Sequence, residues 1–169
     1  SVKSAEEFNF ERPIYATHKE VDDILIIDKD LKGIDFTLAK CCNPIYGDDV
    51  FGFVTVSGGI KIHRKDCPNS LEMRRKFGYR IVKAQWSGKG TSLYNTTLRI
   101  TGNDDIAIIN NITSIISKED KIALRAINIE SNDGLFIGNL TLQLQDTTKL
   151  SGLIKKIQTI KGVKQIVRI

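Results

Sequence analysis

The sequence of 169 residues predicts an α+β fold with two domains, a small α+β module followed by a unit of four strands and two helices. Two observations predict this division. Glycine and serine crowd together in residues 87–93 without apolar periodicity, which is typical of a linker. Strand and helix patterns are short before this segment and regular after it. We therefore expect a module at 24–88, a linker at 89–95 and a second domain at 96–169, with residues 1–23 as a linker from an upstream region.

The second domain has the clearest periodicity. Residues at alternating positions are apolar in four segments, which predicts strands at 96–101, 122–130, 135–145 and 163–169. Leucines and isoleucines at spacings of three and four predict helices at 104–117 and 148–160. Asn103 or Asp104 is the expected N-cap of the first helix, and the Ser-Asn-Asp-Gly turn between the middle strands suits a hairpin. The order strand, helix, strand, strand, helix, strand is ferredoxin-like.

The first module is less periodic, as expected of a small domain that does not depend on apolar packing alone. Short apolar or alternating segments predict strands at 24–27, 50–56, 60–63 and 80–86, with the middle two forming a hairpin. Asn69 and Glu72 have capping-box spacing, so a helix is expected to follow Asn69. Its apolar positions Leu71, Met73 and Phe77 give partial coverage, and Gly78 is expected to end it.

Composition excludes several classes of protein. No stretch approaches the roughly 20 consecutive apolar residues of a transmembrane helix, and the first residues lack the pattern of a signal peptide. Only 3 cysteines are present, two of them adjacent, which is unlike the spaced pairs of a secreted disulfide framework. We therefore expect a cytoplasmic protein with reduced thiols and no association with a membrane.

The positive charge is concentrated in one part of the chain. Residues 61–90 carry 9 of the 25 lysines and arginines, although the net charge of the whole chain is only +5. Such a cluster suits a polyanion, and RNA is the expected one. The candidate contacts are Arg64, Lys65, Arg74, Arg75 and Lys76. The alternative is a charged surface that contacts only solvent.

Cys41, Cys42, His63 and Cys67 are candidate metal ligands. Thiolates and imidazole are the ligands that zinc prefers, and four of them would close a tetrahedral structural site. Adjacent cysteines strain a tetrahedron, so one thiol of the pair is a candidate spectator. Two alternatives are buried free thiols and a cysteine nucleophile that His63 activates and Asp66 orients.

At these residues the sequence resembles a known family. Residues 38–70 read LAKCCNPIYGDDVFGFVTVSGGIKIHRKDCPNS, which strongly resembles the zinc-finger-like module of the long RelA/SpoT homologues. These are the bacterial (p)ppGpp synthetase/hydrolases of the stringent response. Arg80, Ile81 and Trp86 fall where that family closes the module. The following βαββαβ unit resembles the family's ACT domain, so the resemblance covers about residues 24–169.

Two departures from the family pattern bear on function. Family members often read Thr-Arg-Gly-Arg-Gly before the Ile-His-Arg run, whereas residues 55–59 read Thr-Val-Ser-Gly-Gly and lack both arginines. ACT domains that bind amino acids usually have glycine where the first strand meets the first helix, and the expected register puts Ala107 there. Amino-acid binding is therefore less expected. If the domain does bind a ligand, its candidate contacts are Asp104, Asp105, Ile106 and Ala107.

The resemblance implies a regulatory role without catalysis in this region. The family's catalytic domains lie upstream, so the parent is expected to be a GTP pyrophosphokinase, a (p)ppGpp 3′-pyrophosphohydrolase or both. The implied partners are the ribosome with its ribosomal RNA, uncharged tRNA, the upstream catalytic domains and a second copy of the chain. The alternative is an amino-acid sensor in which paired ACT domains control the parent by ligand-dependent dimerisation.

Overall fold

The structure, a computed structural model, describes residues 24–26, 36–88 and 90–169 of the chain. The expected linker at 1–23 lies outside the described residues. The chain divides into two compact units. The first extends to Pro44 and resumes from Asp48 to Ser92, and the second joins Ile45–Gly47 to Leu93–Ile169. The domain bounds drawn from the sequence stay our proposal for the organisation of the chain.

The first unit contains a five-stranded sheet in the order β1-β5-β3-β4-β2. Its elements are β1 (Ile24–Ile26), β2 (Phe36–Leu38), β3 (Val50–Val54), β4 (Ile60–Arg64), α1 (Ser70–Phe77) and β5 (Ile81–Trp86). The expected hairpin of β3 and β4 is confirmed, with Val54 opposite Ile60 across the turn. The sequence analysis missed β2, which pairs in parallel with β4. Val50, Ile60 and Ile62 form the buried centre of the sheet.

Helix α1 differs from its expected form. Asn69 already has helical backbone angles, with φ −88° and ψ −7°, and its side chain makes no capping hydrogen bond. The expected capping box is therefore wrong, because a capping side chain needs an extended backbone to reach the first free N–H groups. No residue of α1 is buried; Leu71 is largely exposed, whereas Phe77 contacts Phe53 edge-on, so the apolar coverage of the helix is only partial. After Phe77 the chain makes one 3₁₀ turn, Gly78–Arg80, before β5.

The second unit contains an antiparallel four-stranded sheet in the order β7-β8-β6-β9 with two helices. Its elements are β6 (Tyr94–Asn103), α2 (Ile106–Ser117), β7 (Ala123–Asn132), β8 (Leu135–Leu144), α3 (Thr147–Gln158) and β9 (Val163–Arg168). This is the expected ferredoxin-like order, and the α+β class is confirmed. The β7–β8 turn places Asp133 and Gly134 at φ 52° and 76°, the left-handed backbone that a tight hairpin requires.

The N-cap of α2 is Asp105 rather than Asn103 or Asp104. Asp105 has extended backbone angles, and its carboxylate Oδ1 accepts a hydrogen bond of 2.9 Å from the backbone N–H of Ala107. All three residues are good N-cap types, so composition alone did not separate them. The helix therefore begins two residues later than expected.

The core of the second unit lies between one face of the sheet and the two helices. Strand β6 alternates buried and more exposed positions along its whole length, as the sequence predicted. The helices contribute one buried residue per turn, namely Ile108, Ile112 and Ile116 from α2 and Leu150, Leu153 and Ile157 from α3. None of the helices described has the length and apolar character needed to cross a membrane.

Two leucines on β8 allow a matched test of this core. Leu140 is 2% exposed and Leu135 is 36% exposed. Leu140→Ala is expected to lower the free energy of unfolding by about 2–5 kcal/mol, because it removes buried methyl groups and leaves a cavity. Leu135→Ala is expected to lower the free energy of unfolding by well under half of that amount. Chemical denaturation monitored by circular dichroism measures both values, and equal losses would contradict this core assignment.

Candidate metal centre and basic surface

Local backbone structure brings the cysteine pair beside the end of β4. Ala39 extends the pairing of β2 by donating its N–H to the carbonyl of Ile62 at 2.9 Å. The chain then turns, with the Asn43 N–H donating to the Ala39 carbonyl at 3.0 Å and Asn43 at φ 45°. The two cysteines lie inside this turn, between Ala39 and Asn43. Both side chains can therefore approach one point although their backbones are consecutive.

His63 and Cys67 come from the other side of the site. His63 is the next-to-last residue of β4, and the Cys67 N–H donates to the Arg64 carbonyl at 3.0 Å in the turn that follows. The Ser70 N–H in turn donates to the Cys67 carbonyl at 2.9 Å, where α1 begins. The spacing of four residues thus places both side chains on the same side of a strand-to-helix turn.

The four candidate ligands converge. Their ligand atoms, three Sγ and the His63 ring nitrogen, all lie within 4.8 Å of one another. The Cys41 Sγ is 3.4 Å from His63 Nδ1 and 3.5 Å from the Cys67 Sγ, and the Cys42 Sγ is 4.0 Å from the same nitrogen. No pair of these cysteines is joined by a disulfide.

This donor set fits a tetrahedral zinc ion. Metal–sulfur bonds of about 2.3 Å put two sulfurs of a tetrahedron about 3.8 Å apart, and the shorter bond to nitrogen brings it slightly closer to each sulfur. The observed separations lie around these values, so an ion could be bound with small side-chain movements. Both adjacent cysteines lie within the cluster, and the geometry gives no reason to leave either of them out.

Burial favours the uncharged forms of Cys42, Cys67 and His63 by shifting the pKa of each. Burial raises the pKa of the Cys42 thiol to about 12, against the opposing effect of a hydrogen bond from the Arg64 backbone. It also raises the pKa of Cys67. The pKa of His63 falls to about 4, mainly through burial and further through the charge of Lys61. A metal would have to displace protons from buried thiols, which its own charge makes favourable.

For Cys42 and Cys67 these shifts speak against the nucleophile hypothesis. A nucleophilic cysteine needs a lowered pKa, whereas those of Cys42 and Cys67 are raised. Asp66 does not orient His63 either. Its carboxylate is exposed and pairs with the Arg64 guanidinium at 3.3 Å. Neither Cys42 nor Cys67 therefore has the lowered pKa of a nucleophile, and Asp66 is not placed to orient His63.

Arg64 supports the Cys/His cluster and is not one of the exposed basic residues. Only 4% of the residue is exposed. Its Nε donates to the Cys42 carbonyl at 2.8 Å, and its backbone N–H donates to the Cys42 Sγ at 3.3 Å. This corrects the sequence analysis, which grouped Arg64 with the surface contacts. Hydrogen bonds of this kind hold ligand side chains in position and stabilise a thiolate.

Two aromatic side chains that the sequence analysis did not single out surround the histidine. Phe51 stacks on the His63 ring at a centroid distance of 5.5 Å, and Phe53 meets it edge-on at 6.4 Å. Both belong to β3, which pairs with β4 so that Phe51 lies directly opposite His63. The available signal was their alternation two residues apart in a strand predicted to pair with the histidine strand.

The remaining basic candidates are exposed. Lys65 precedes Cys67 in the turn after β4, and Arg74, Arg75 and Lys76 lie in the second half of α1. Lys76 forms an ion pair of 2.6 Å with Glu72 one turn earlier, and the Arg74 guanidinium lies 5.2 Å from the centre of the Phe51 ring. These four side chains form what we call the basic surface.

The candidate ligand loop of the second unit is exposed at the junction of β6 and α2. Two of its carboxylates have structural roles, since Asp105 caps α2 and the Asp104 Oδ1 accepts a hydrogen bond from Ser131 at 2.9 Å. Close packing favours glycine at position 102, just before the loop. A Cβ there would lie 2.7 Å from the Gly162 carbonyl oxygen. Ile106 and Ala107 are also exposed, which completes the set Asp104, Asp105, Ile106 and Ala107.

Comparison with known proteins agrees with this architecture. A family model described as the RelA/SpoT RIS domain matches residues 26–87, and a model described as an ACT domain matches 90–168. The bifunctional (p)ppGpp synthase/hydrolase RelA of Mycobacterium tuberculosis is 28% identical over 172 residues, which cover 99% of this chain and 23% of that protein. The guanosine-3′,5′-bis(diphosphate) 3′-pyrophosphohydrolase of Aquifex aeolicus is 28% identical over 80% of this chain and 19% of its own length.

One solved structure is similar to the second unit of this chain. The ACT domain from the GTP pyrophosphokinase of Chlorobium tepidum is 33% identical, with 46% of this chain and 100% of that chain covered and a TM-score of 0.43. The two matching family models define a regulatory region that contains an ACT domain. More specifically, the chain belongs to the RelA/SpoT family and carries its RIS and ACT domains. It spans about a fifth of the length of the curated relatives it matches.

Proposed function

We propose that this region docks a (p)ppGpp-metabolising parent protein on ribosomes that carry uncharged tRNA and restrains its upstream catalytic domains in the absence of that signal. The observation that carries the proposal is the basic surface beside the Cys/His cluster of the RIS domain. Ribosomal RNA offers a dense array of phosphates to such a surface. The same partner requires a cytoplasmic location.

The proposed role of the metal is structural. Cys41, Cys42, His63 and Cys67 would hold one zinc ion, which crosslinks the turn after β2 to the turn between β4 and α1. Four protein ligands leave no open coordination position for a substrate, so the ion would supply stability and no chemistry. The cluster would thereby fix the start of α1 and present the basic surface in one orientation.

The RNA contacts that we propose are Lys65, Arg74, Arg75 and Lys76. Consecutive helical residues are separated by 100°, so the three in α1 spread over more than half of its circumference. Arg74 and Arg75 have no ion pair within the described part of the chain, which leaves both guanidinium groups available for phosphates. Contacts of this type recognise RNA by its backbone and shape rather than by its base sequence.

We infer that the region itself catalyses no reaction. The Cys/His set is the only cluster of three or more metal-binding groups among the residues described, so these contain no carboxylate site for Mg²⁺. Synthesis or hydrolysis of (p)ppGpp would therefore belong to the rest of the parent. The region would influence it only through docking and domain contacts.

A binding titration tests this function. The fluorescently labelled chain is titrated with ribosomes that carry uncharged tRNA in the A site, with ribosomes that have an empty A site and with protein-free ribosomal RNA. We expect saturable binding to all three that weakens linearly with the logarithm of salt concentration, and the tightest binding to ribosomes with uncharged tRNA. The absence of saturable binding to any ribosome would exclude the proposal.

We also propose that the ACT domain mediates self-association. Among the residues described, strand β7 pairs with β8 and with no other strand, so one long sheet edge is open, and Ile127 on that strand is exposed. A second copy could cover this edge in a two-fold arrangement. The amino-acid sensor gains no support, because the two carboxylates of the β6–α2 loop, Asp104 and Asp105, already accept hydrogen bonds within the protein.

The dimer proposal predicts a positional effect. Ile127→Lys on β7 is expected to convert the dimer to a monomer at high protein concentration, because each interface would gain two charges. Val167→Lys on the opposite edge strand β9 is the matched control and should remain dimeric. Light scattering distinguishes the two states. A wild-type monomer, or equal dissociation of both variants, would contradict an interface at β7.

A further inference from the structure

A row of aromatic rings leads from the buried His63 to the surface. The Phe53 ring meets His63 edge-on and contacts Phe77 in the same way, at a centroid distance of 6.2 Å. The Arg80 guanidinium follows, 5.4 Å from the centre of the Phe77 ring and 5.6 Å from the centre of the Tyr79 ring. Both distances are within the range of a cation–π interaction.

The outer end of this row is exposed. Tyr79 is 78% exposed and Phe77 is 39% exposed, and the 3₁₀ turn Gly78–Arg80 buries no residue. Burial therefore does not explain an aromatic residue at position 79. In the described residues no carboxylate lies within ion-pair distance of the Arg80 guanidinium. Its flat cation is held by two rings and not by an anion.

The charge around the row indicates the kind of partner. Arg74 and Arg75 precede it on α1, and Glu72, the acidic residue of that helix, is already paired with Lys76. The exposed groups are thus flat rings and unneutralised guanidinium groups. Nucleic acid is the partner that offers both negative charge and flat apolar faces, because unpaired bases stack on aromatic side chains and on arginine.

We propose that Tyr79 and Arg80 form a stacking platform for one unpaired base of an RNA whose phosphates bind Arg74 and Arg75. This inference rests on the proposed function and adds that the RNA must present an unpaired nucleotide. A base in a continuous duplex is stacked on its neighbours and cannot reach the platform without being extruded. The contact with Phe53 connects the platform to the histidine of the Cys/His cluster, which gives the exposed rings a fixed support.

The test compares two RNA probes and two variants of the full chain. The probes are a short single-stranded oligonucleotide and a fully paired duplex with the same number of phosphates. Tyr79→Ala is expected to weaken binding of the single strand by about 5- to 150-fold, the range measured for losing one stacked base. Tyr79→Phe retains the ring and should bind within about twofold of the wild type, since stacking does not need the hydroxyl group.

Salt dependence separates stacking from charge. Tyr79→Ala removes no cation, so its loss of affinity should be the same at every salt concentration and leave the slope of log affinity against log salt unchanged. Val56→Ala, which truncates another highly exposed apolar side chain of the same unit, should bind as the wild type does. Unchanged fluorescence of Trp86, the only tryptophan, verifies that the unit is folded.

The outcomes distinguish failure of the stacking platform from failure of the proposed function on which it rests. The stacking platform is wrong if Tyr79→Ala binds the single strand as tightly as Val56→Ala does. It is also wrong if Tyr79→Ala weakens binding of the duplex as much as binding of the single strand. In both cases RNA binding by the basic surface stands. Loss of ribosome binding without loss of RNA binding would assign Tyr79 to a protein contact and also overturn the platform. If the wild type binds neither RNA probe, both the platform and the proposed RNA contacts are wrong.

Discussion

Replacing Arg74, Arg75 and Lys76 together by glutamate is expected to weaken binding to ribosomes and ribosomal RNA by roughly 100-fold near physiological salt. Each lost phosphate contact also reduces the slope of log affinity against log salt by about 0.7 to 0.9. Because Lys76 is already paired with Glu72, we expect the loss of two contacts and so a total reduction of about 1.4 to 1.8, less than the value for three contacts. Titrations at several salt concentrations provide both quantities.

The second unit supplies the matched control. Lys155, Lys161 and Lys164 are exposed, and changing all three to glutamate alters the net charge by the same amount. This variant should bind nearly as the wild type does, and both variants should retain the wild-type circular dichroism spectrum. The opposite result, with the α1 variant unaffected and the control weakened, would move the RNA contacts to the ACT domain.

Replacing Cys67 by serine is expected to abolish stoichiometric zinc binding and to destabilise the first unit selectively. Structural zinc contributes about 10–16 kcal/mol of apparent binding free energy in small zinc-dependent domains, so loss of even a fraction of it is large. A loss of only about 2 kcal/mol would lower the melting temperature by about 8–16 °C for a unit of this size. Trp86 lies in β5, so its fluorescence reports on this unit.

Selectivity is the decisive part of that prediction. Amide exchange of β6 and β8 should be unchanged in Cys67→Ser, since these strands have their own core. Cys41→Ser and Cys42→Ser should each lose zinc as well, because both thiols lie within the cluster. Near-normal metal content in one of them would identify a spectator thiol. Melting that a strong chelator leaves unchanged in the wild type would count against any structural metal.

The second unit was predictable because its core follows the periodicities of strands and helices. Burial alternates along β6 and β8 and repeats every three to four residues in α2 and α3, so the sequence carries the pattern directly. The N-cap of α2 was assigned wrongly because three consecutive residues had suitable side chains. Only the extended backbone at Asp105 decides among them, and side-chain type does not report that angle.

The first unit was less predictable for two physical reasons. Strand β2 has three residues, too few to show alternation, although it positions the turn that holds Cys41 and Cys42. Charge was also a poor guide to exposure. Arg64 is a strong cation at the end of β4, yet a carbonyl and a carboxylate satisfy its guanidinium in a buried position. The grouping of the four metal-binding candidates, in contrast, followed from their residue types and spacing.

X-ray absorption at the zinc edge on the freshly purified chain, together with its zinc content, tests the proposed metal centre most directly. We expect one zinc per chain with three sulfur neighbours at about 2.3 Å and one nitrogen neighbour at about 2.0–2.1 Å. Those neighbours would be Cys41, Cys42, Cys67 and His63. A chain without zinc, or a zinc shell composed mainly of oxygen, would contradict the metal centre on which the presentation of the basic surface depends.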